Sequence, residues 1–256
     1  RAKHYADRAM KANQELIEAG YDDSLAHSIQ WHYYQYGPEP DPELSWRAIK
    51  QVKVDGDYVN NIAVDRMINE GDPRKALRDY DELVGETSTP YAQFARALLM
   101  CSLPDKRAEI NQIAADLSVQ ESAVFKRCAL FLYALLGDTE AAERVAKKTL
   151  GDGDSRAMPH EIQCIEAFAS PDDFEGFATL GDRRRLDFTL SELTRGLLAI
   201  SRGNGTKALE AFESARKSQL KIYYLDMYAA AFAHQLRTNP KWPCGRSIDG
   251  RLQLST

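Results

Sequence analysis

Residues 193–216 read LTRGLLAISRGNGTKALEAFESAR, and this stretch decides the fold. Two apolar runs flank the turn Gly203-Asn204-Gly205. Gly196 and Ala199 are small residues on the first run; Ala208 and Ala215 are small residues on the second, with bulky Phe212 between them. Small side chains let two helix backbones approach, and a bulky one fills a neighbouring groove. The same register recurs upstream. Gly71, Gly137 and Gly203 each close an apolar run and precede Asp72, Asp138 and Asn204. Ala76, Ala142 and Ala208 follow five residues after each glycine, and Ala108 takes that place behind Leu103-Pro104-Asp105. Successive alanines lie 32, 34 and 66 residues apart, the last interval spanning two units. Such a period marks stacked helical hairpins, because one hairpin cannot bury its apolar face alone.

Further copies are Leu130, Tyr133, Gly137, Ala142, Ala146, Thr149 and Ala63, Val64, Met67, Gly71, Ala76, Tyr80, Leu83, with a looser unit over 95–115. On these positions the chain resembles the tetratricopeptide repeat (TPR) family. The resemblance implies an all-α fold, a right-handed α-solenoid of about seven TPR-like hairpins of ~34 residues each. One unit is expected to be degenerate, since Phe174 stands in its alanine slot behind Ile162, Ile165 and Phe168. In TPR arrays the first helices of the hairpins line a concave groove that accepts a peptide or a partner protein. Carried onto this chain, that surface is Tyr58, Asn61 and Asp65 in one unit, then Gln93, Ala97 and Met100. It continues with Val124, Arg127 and Phe131, and ends with Arg156, Gln163 and Glu166 in the degenerate unit. The family's carboxylate clamp of lysine, asparagine and arginine is not assembled, because Asn61 and Arg127 stand alone and Asp65 has the opposite charge. Residues 183–241 are also similar to the C-terminal TPR arrays of bacterial serine/threonine kinases and winged-helix regulators.

Composition excludes several classes. With 33 basic and 38 acidic residues the net charge is −5, which offers no electrostatic footprint for nucleic acid. The longest apolar run, 128–136, is nine residues, and a bilayer needs about 20, so membrane insertion is not expected. Cys101, Cys128, Cys164 and Cys244 form no CxxC pair, and the first three sit among apolar neighbours as small hydrophobes. Reduced thiols point to a cytoplasmic protein. Arg1 falls inside a helical pattern, which reads as a chain cut from a longer polypeptide.

Punctuation is helical throughout. Asp72-Pro73, Thr89-Pro90 and Ser170-Pro171-Asp172-Asp173 pair an N-cap with proline at the first helical position. Ser118-Val119-Gln120-Glu121 reads as a capping box opening a helix that runs through Leu136. The expected organisation is one repeat domain over 1–240, with an irregular hairpin at 1–36 and a proline-rich break at 37–42. An extended tail is expected over 241–256.

No catalytic set emerges. His160-Glu161-Ile162-Gln163-Cys164 begins like the zinc-protease motif HExxH but lacks the second histidine, and two ligands do not define a metal site. Gly203-Asn204-Gly205-Thr206-Lys207 lacks phosphate-loop spacing, and no strand precedes it. Arg183-Arg184-Arg185 is flanked by Asp182 and Asp187 and reads as a solvated helix start. The leading expectation is therefore a protein-interaction scaffold without cofactor or metal. Tyr58, Asn61, Asp65, Gln93, Arg127, Phe131, Arg156 and Gln163 are its partner contacts. A regulatory domain of a larger signalling protein is the second reading. The third is an all-α enzyme or small-molecule binder near the degenerate repeat, where Arg156, His160, Glu161 and Cys164 gather.

Overall fold

The computed structural model describes residues 2–21, 24–52, 58–85, 89–153, 159–171, 185–216 and 224–249. Among these the chain is all-helical. In order the helices are α1 (Ala2–Glu18), α2 (Ser24–Tyr36), α3 (Pro42–Ile49), α4 (Tyr58–Asn69) and α5 (Pro73–Val84). Next come α6 (Pro90–Met100), α7 (Arg107–Ser118), α8 (Ala123–Leu136) and α9 (Thr139–Asp152). The last are α10 (Pro159–Ala169), α11 (Arg185–Ser201), α12 (Gly205–Arg216) and α13 (Tyr224–Thr238).

Local chemistry sets the ends of these helices. Asp41, Asp72 and Thr89 accept backbone N–H groups at the starts of α3, α5 and α6, each with proline at the first position. Such a cap contributes about 1 kcal/mol. Gly137 and Gly203 adopt φ of 70° and 77°, closing α8 and α11 in the left-handed region that disfavours other residues. The next N–H then reaches back into the helix, Asp138 to the Tyr133 carbonyl at 2.9 Å and Asn204 to that of Ala199 at 2.8 Å. Gly71 makes its turn without a positive φ.

The repeated small residues sit at helix contacts. Ala76, Ala142 and Ala208 are buried in α5, α9 and α12, which pack on α4, α8 and α11 respectively. A Cβ on Gly196 would lie 2.2 Å from the Phe212 ring, so this residue admits the close approach of α11 and α12. The third unit departs from the expected register. Ala108 is exposed, and the buried positions of α7 are Ile110, Ala114 and Leu117. Ile110 stands 34 residues after Ala76, and the 3-10 turn Pro104–Lys106 displaces Ala108 to the outer face. The expected capping box also fails: α7 runs on to Ser118, whose hydroxyl donates to the Ala115 carbonyl at 2.7 Å, and α8 starts only at Ala123. Phe174 lies outside the described residues, as does the cap sequence from Asp172 onward.

Helix α13 turns back across the molecule. It packs on α12 and α11 and also reaches α4, far away in sequence. There the Gln235 amide donates to the Met67 carbonyl and accepts from the Ser102 hydroxyl at 3.1 Å. The segment after it is no extended tail over 241–249. Trp242 is fully buried beside Phe232, with ring centroids 5.5 Å apart. Cys244 donates its N–H to the Cys101 carbonyl at 2.6 Å. The Arg246 guanidinium reaches the carbonyls of Ala134, Leu135 and Ser201 at 2.9 to 3.3 Å, ending two helices at once. Apolar burial of Trp242 and these bonds to carbonyls at two helix ends draw the segment onto the packed helices.

Candidate functional site

The helix faces assigned to a partner fall into two regions. The first is a buried joint of α2, α3, α4 and α5, centred on Asp65. Asp65 has no exposed surface and accepts from Trp31 Nε1 at 3.1 Å, Ser45 Oγ at 2.6 Å and Asn69 Nδ2 at 3.0 Å. Its other oxygen receives Arg66 Nε at 3.0 Å and a terminal Arg66 nitrogen at 2.5 Å. Arg66 bonds Asp79 at 3.2 Å and stacks 3.6 Å over the Trp46 ring. The carboxylate is therefore committed to the fold, and Asp65 is corrected from a partner contact to a structural acceptor. Asn61 is also buried, at 5% exposure. Tyr58 and Gln93 are half-buried on α4 and α6, Gln163 is half-buried on α10, and Arg156 lies outside the described residues.

The second region is a cavity of 320 Å³ where α4, α6, α8 and α10 meet α13. Arg127 and Phe131 reach it from α8 at i and i+4, one above the other on the same helix face. His160 and Glu161 come from the start of α10, and Leu225 and Tyr228 from α13. Tyr91 and Phe94 complete the wall from α6, with Phe94 edge-on to Tyr228 at 5.7 Å. Phe131 itself is 1% exposed and packs 6.4 Å from Phe168, so it is wall and not open surface.

Polar groups in this cavity are unevenly satisfied. Arg127 donates to Glu161 Oε1 at 3.2 Å, with side-chain exposures of 14% and 8%. The Arg127 Nε–H has no partner. Asn60, on α4, lines the cavity with no exposed surface, and neither its carbonyl oxygen nor its amide nitrogen has a partner. An unsatisfied buried polar group costs about 1–3 kcal/mol. Asn60 falls outside the groove positions that the TPR register assigns in its helix, Tyr58, Asn61 and Asp65. The signal available in the sequence was Asn60-Asn61 inside the apolar run of α4.

The cavity presents hydrogen-bonding groups and aromatic walls rather than an activated nucleophile. Burial pushes the Cys128 thiol up to about 12 and that of Cys164 up to about 11, the latter against a hydrogen bond from Thr194 at 3.2 Å. Both stay protonated near neutral pH, and the thiolate is the reactive form. No group of three or more potential metal ligands occurs among the described residues. No described helix is long and apolar enough to cross a membrane. A larger cleft lies between α11 and α12 and is bordered by Pro171, where the described residues stop until 185. Compared with protein-family models, with curated proteins and with solved structures, the chain matches none of them.

Proposed function

We propose that this chain is a ligand-binding helical-repeat module. In this reading it is a right-handed, TPR-like α-solenoid whose first-helix faces hold a small molecule in the cavity under α13. The close-packed positions Ala76, Ala142 and Ala208 and the pairing of successive helices support the repeat reading. The observation that carries the function is Asn60, a fully buried amide without partners in a cavity walled by aromatic rings. Four helices and α13 share that cavity, so an occupant would tie them together and stabilise the array by mass action. That is how a sensor or regulatory domain would act, by binding and not by catalysis. The test is a ligand-observed NMR screen of aromatic fragments against the full chain and Val124→Trp, which fills the cavity from a half-buried position. Fragments that bind the parent and are lost in a folded Val124→Trp variant support the reading. An empty screen, or hits indifferent to the substitution, contradicts it.

The protein-scaffold reading has a separate support. Leu25 and Ile29 stand 63% and 39% exposed at i, i+4 on α2, with Leu16 of α1 51% exposed. If that hairpin docks a protein, Leu25→Glu with Ile29→Glu abolishes the association without changing the fold; association that survives both changes excludes this face.

A further inference from the structure

We infer that the cavity recognises an uncharged planar amide carried on a single aromatic ring, a carboxamide or lactam of the benzamide type. This rests on the reading of the cavity as a ligand site and names the chemistry that fills it.

Asn60 sets the hydrogen-bonding pattern. Its side chain offers a carbonyl acceptor and an NH2 donor side by side, and both lack partners. The group that answers both at once is another amide, its N–H given to Oδ1 and its C=O taken by Nδ2. A carboxylate answers Nδ2 but sets its own lone pairs against Oδ1. An ammonium answers Oδ1 and leaves Nδ2 orphaned. Charge points the same way: Glu161 lies 3.2 Å from the Arg127 guanidinium and offsets it, so the pair makes no demand for an anion. The Arg127 Nε–H remains as one further donor, suited to a neutral oxygen or ring nitrogen.

The walls set the rest of the molecule. Tyr91, Phe94, Phe131 and Tyr228 present rings from three helices, which suits a flat aromatic partner. The volume of 320 Å³ is at the small end of the roughly 300–1,000 Å³ of ligand pockets, enough for one ring and its substituent.

Benzamide, benzoate and toluene are the probes, titrated against the full chain by ligand-observed NMR. Benzamide binds tighter than either of the others, and Asn60→Leu weakens it about tenfold or more while leaving toluene unchanged. The same substitution raises the Tm of the free protein, because it removes an orphaned polar group from a buried position. If Asn60→Leu does not fold, Asn60→Ala replaces it, and the benzamide-to-toluene ratio of the parent chain decides independently. Equal affinity for toluene and benzamide overturns the amide recognition while leaving a ligand cavity in place. Benzoate bound tightest, and weakened by Arg127→Lys, overturns it in favour of an anion. Binding of none of the three overturns the inference, and with an empty fragment screen the functional reading falls as well.

Discussion

Asp65 and Asn60 sit within six residues on α4 and have opposite fates. Asp65 has each oxygen engaged, whereas Asn60 has none of its side-chain groups engaged. Removing the Asp65 carboxylate takes away the nearest of the carboxylates facing the buried Arg66 and the acceptor shared by Trp31, Ser45 and Asn69. Asp65→Ala is therefore expected to cost about 3–5 kcal/mol in chemical unfolding. A loss below about 1 kcal/mol would mean that Asp79 alone suffices for Arg66. A second residue makes stability depend on pH. Burial, with Arg237 nearby, holds the His234 imidazole below its ordinary 6.5. As pH falls through that value the unfolded chain takes a proton that the folded chain refuses. This contribution is therefore complete above pH 6.5 and lost towards the lower folded value. Unfolding curves at about pH 7.5 and about pH 5.5 should show a larger loss for the parent than for His234→Gln. Equal losses would mean that His234 does not make stability depend on pH. Neither Asp65 nor Asn60 was legible in its role, because a repeat register assigns a helix face but not what covers it.

At the scale of the element, the sequence was most legible where one residue sets one local geometry. The caps at Asp72 and Thr89 and the glycines at 137 and 203 act where their types direct. It was least legible where tertiary burial competes with a local signal. Ser118 has the side chain of an N-cap, yet Leu117 is fully buried and holds the last turn of α7 against the core. Likewise Ala108 matched the alanine spacing, but three residues of 3-10 helix turned it outward and put Ile110 inside. These placements separate three otherwise similar substitutions. Ala142→Leu and Ala208→Leu should each cost about 1–3 kcal/mol by overpacking, whereas Ala108→Leu should stay within about 0.5 kcal/mol. Denaturant midpoints at constant slope give the comparison directly. A cost at Ala108 matching that at Ala208 would restore the register read from spacing alone.

For the whole molecule, the feature that spacing did not reveal is the return of α13. The pattern along the chain speaks of neighbours, and α13 joins helices that are distant in sequence: Gln235 meets Met67 and Ser102, and Tyr228 meets Phe94. Residues 241–249 follow it onto the packed helices, with Trp242 and Arg246 as anchors. Leu225 and Tyr228 of α13 close one side of the cavity that α4, α6, α8 and α10 line. Native-state hydrogen exchange on the full chain tests this arrangement most directly. Amides within α13 are expected to open no more readily than those of α4 and α8, as members of one cooperative unit. Amides of α13 that exchange orders of magnitude faster, with α4 and α8 still protected, would contradict it.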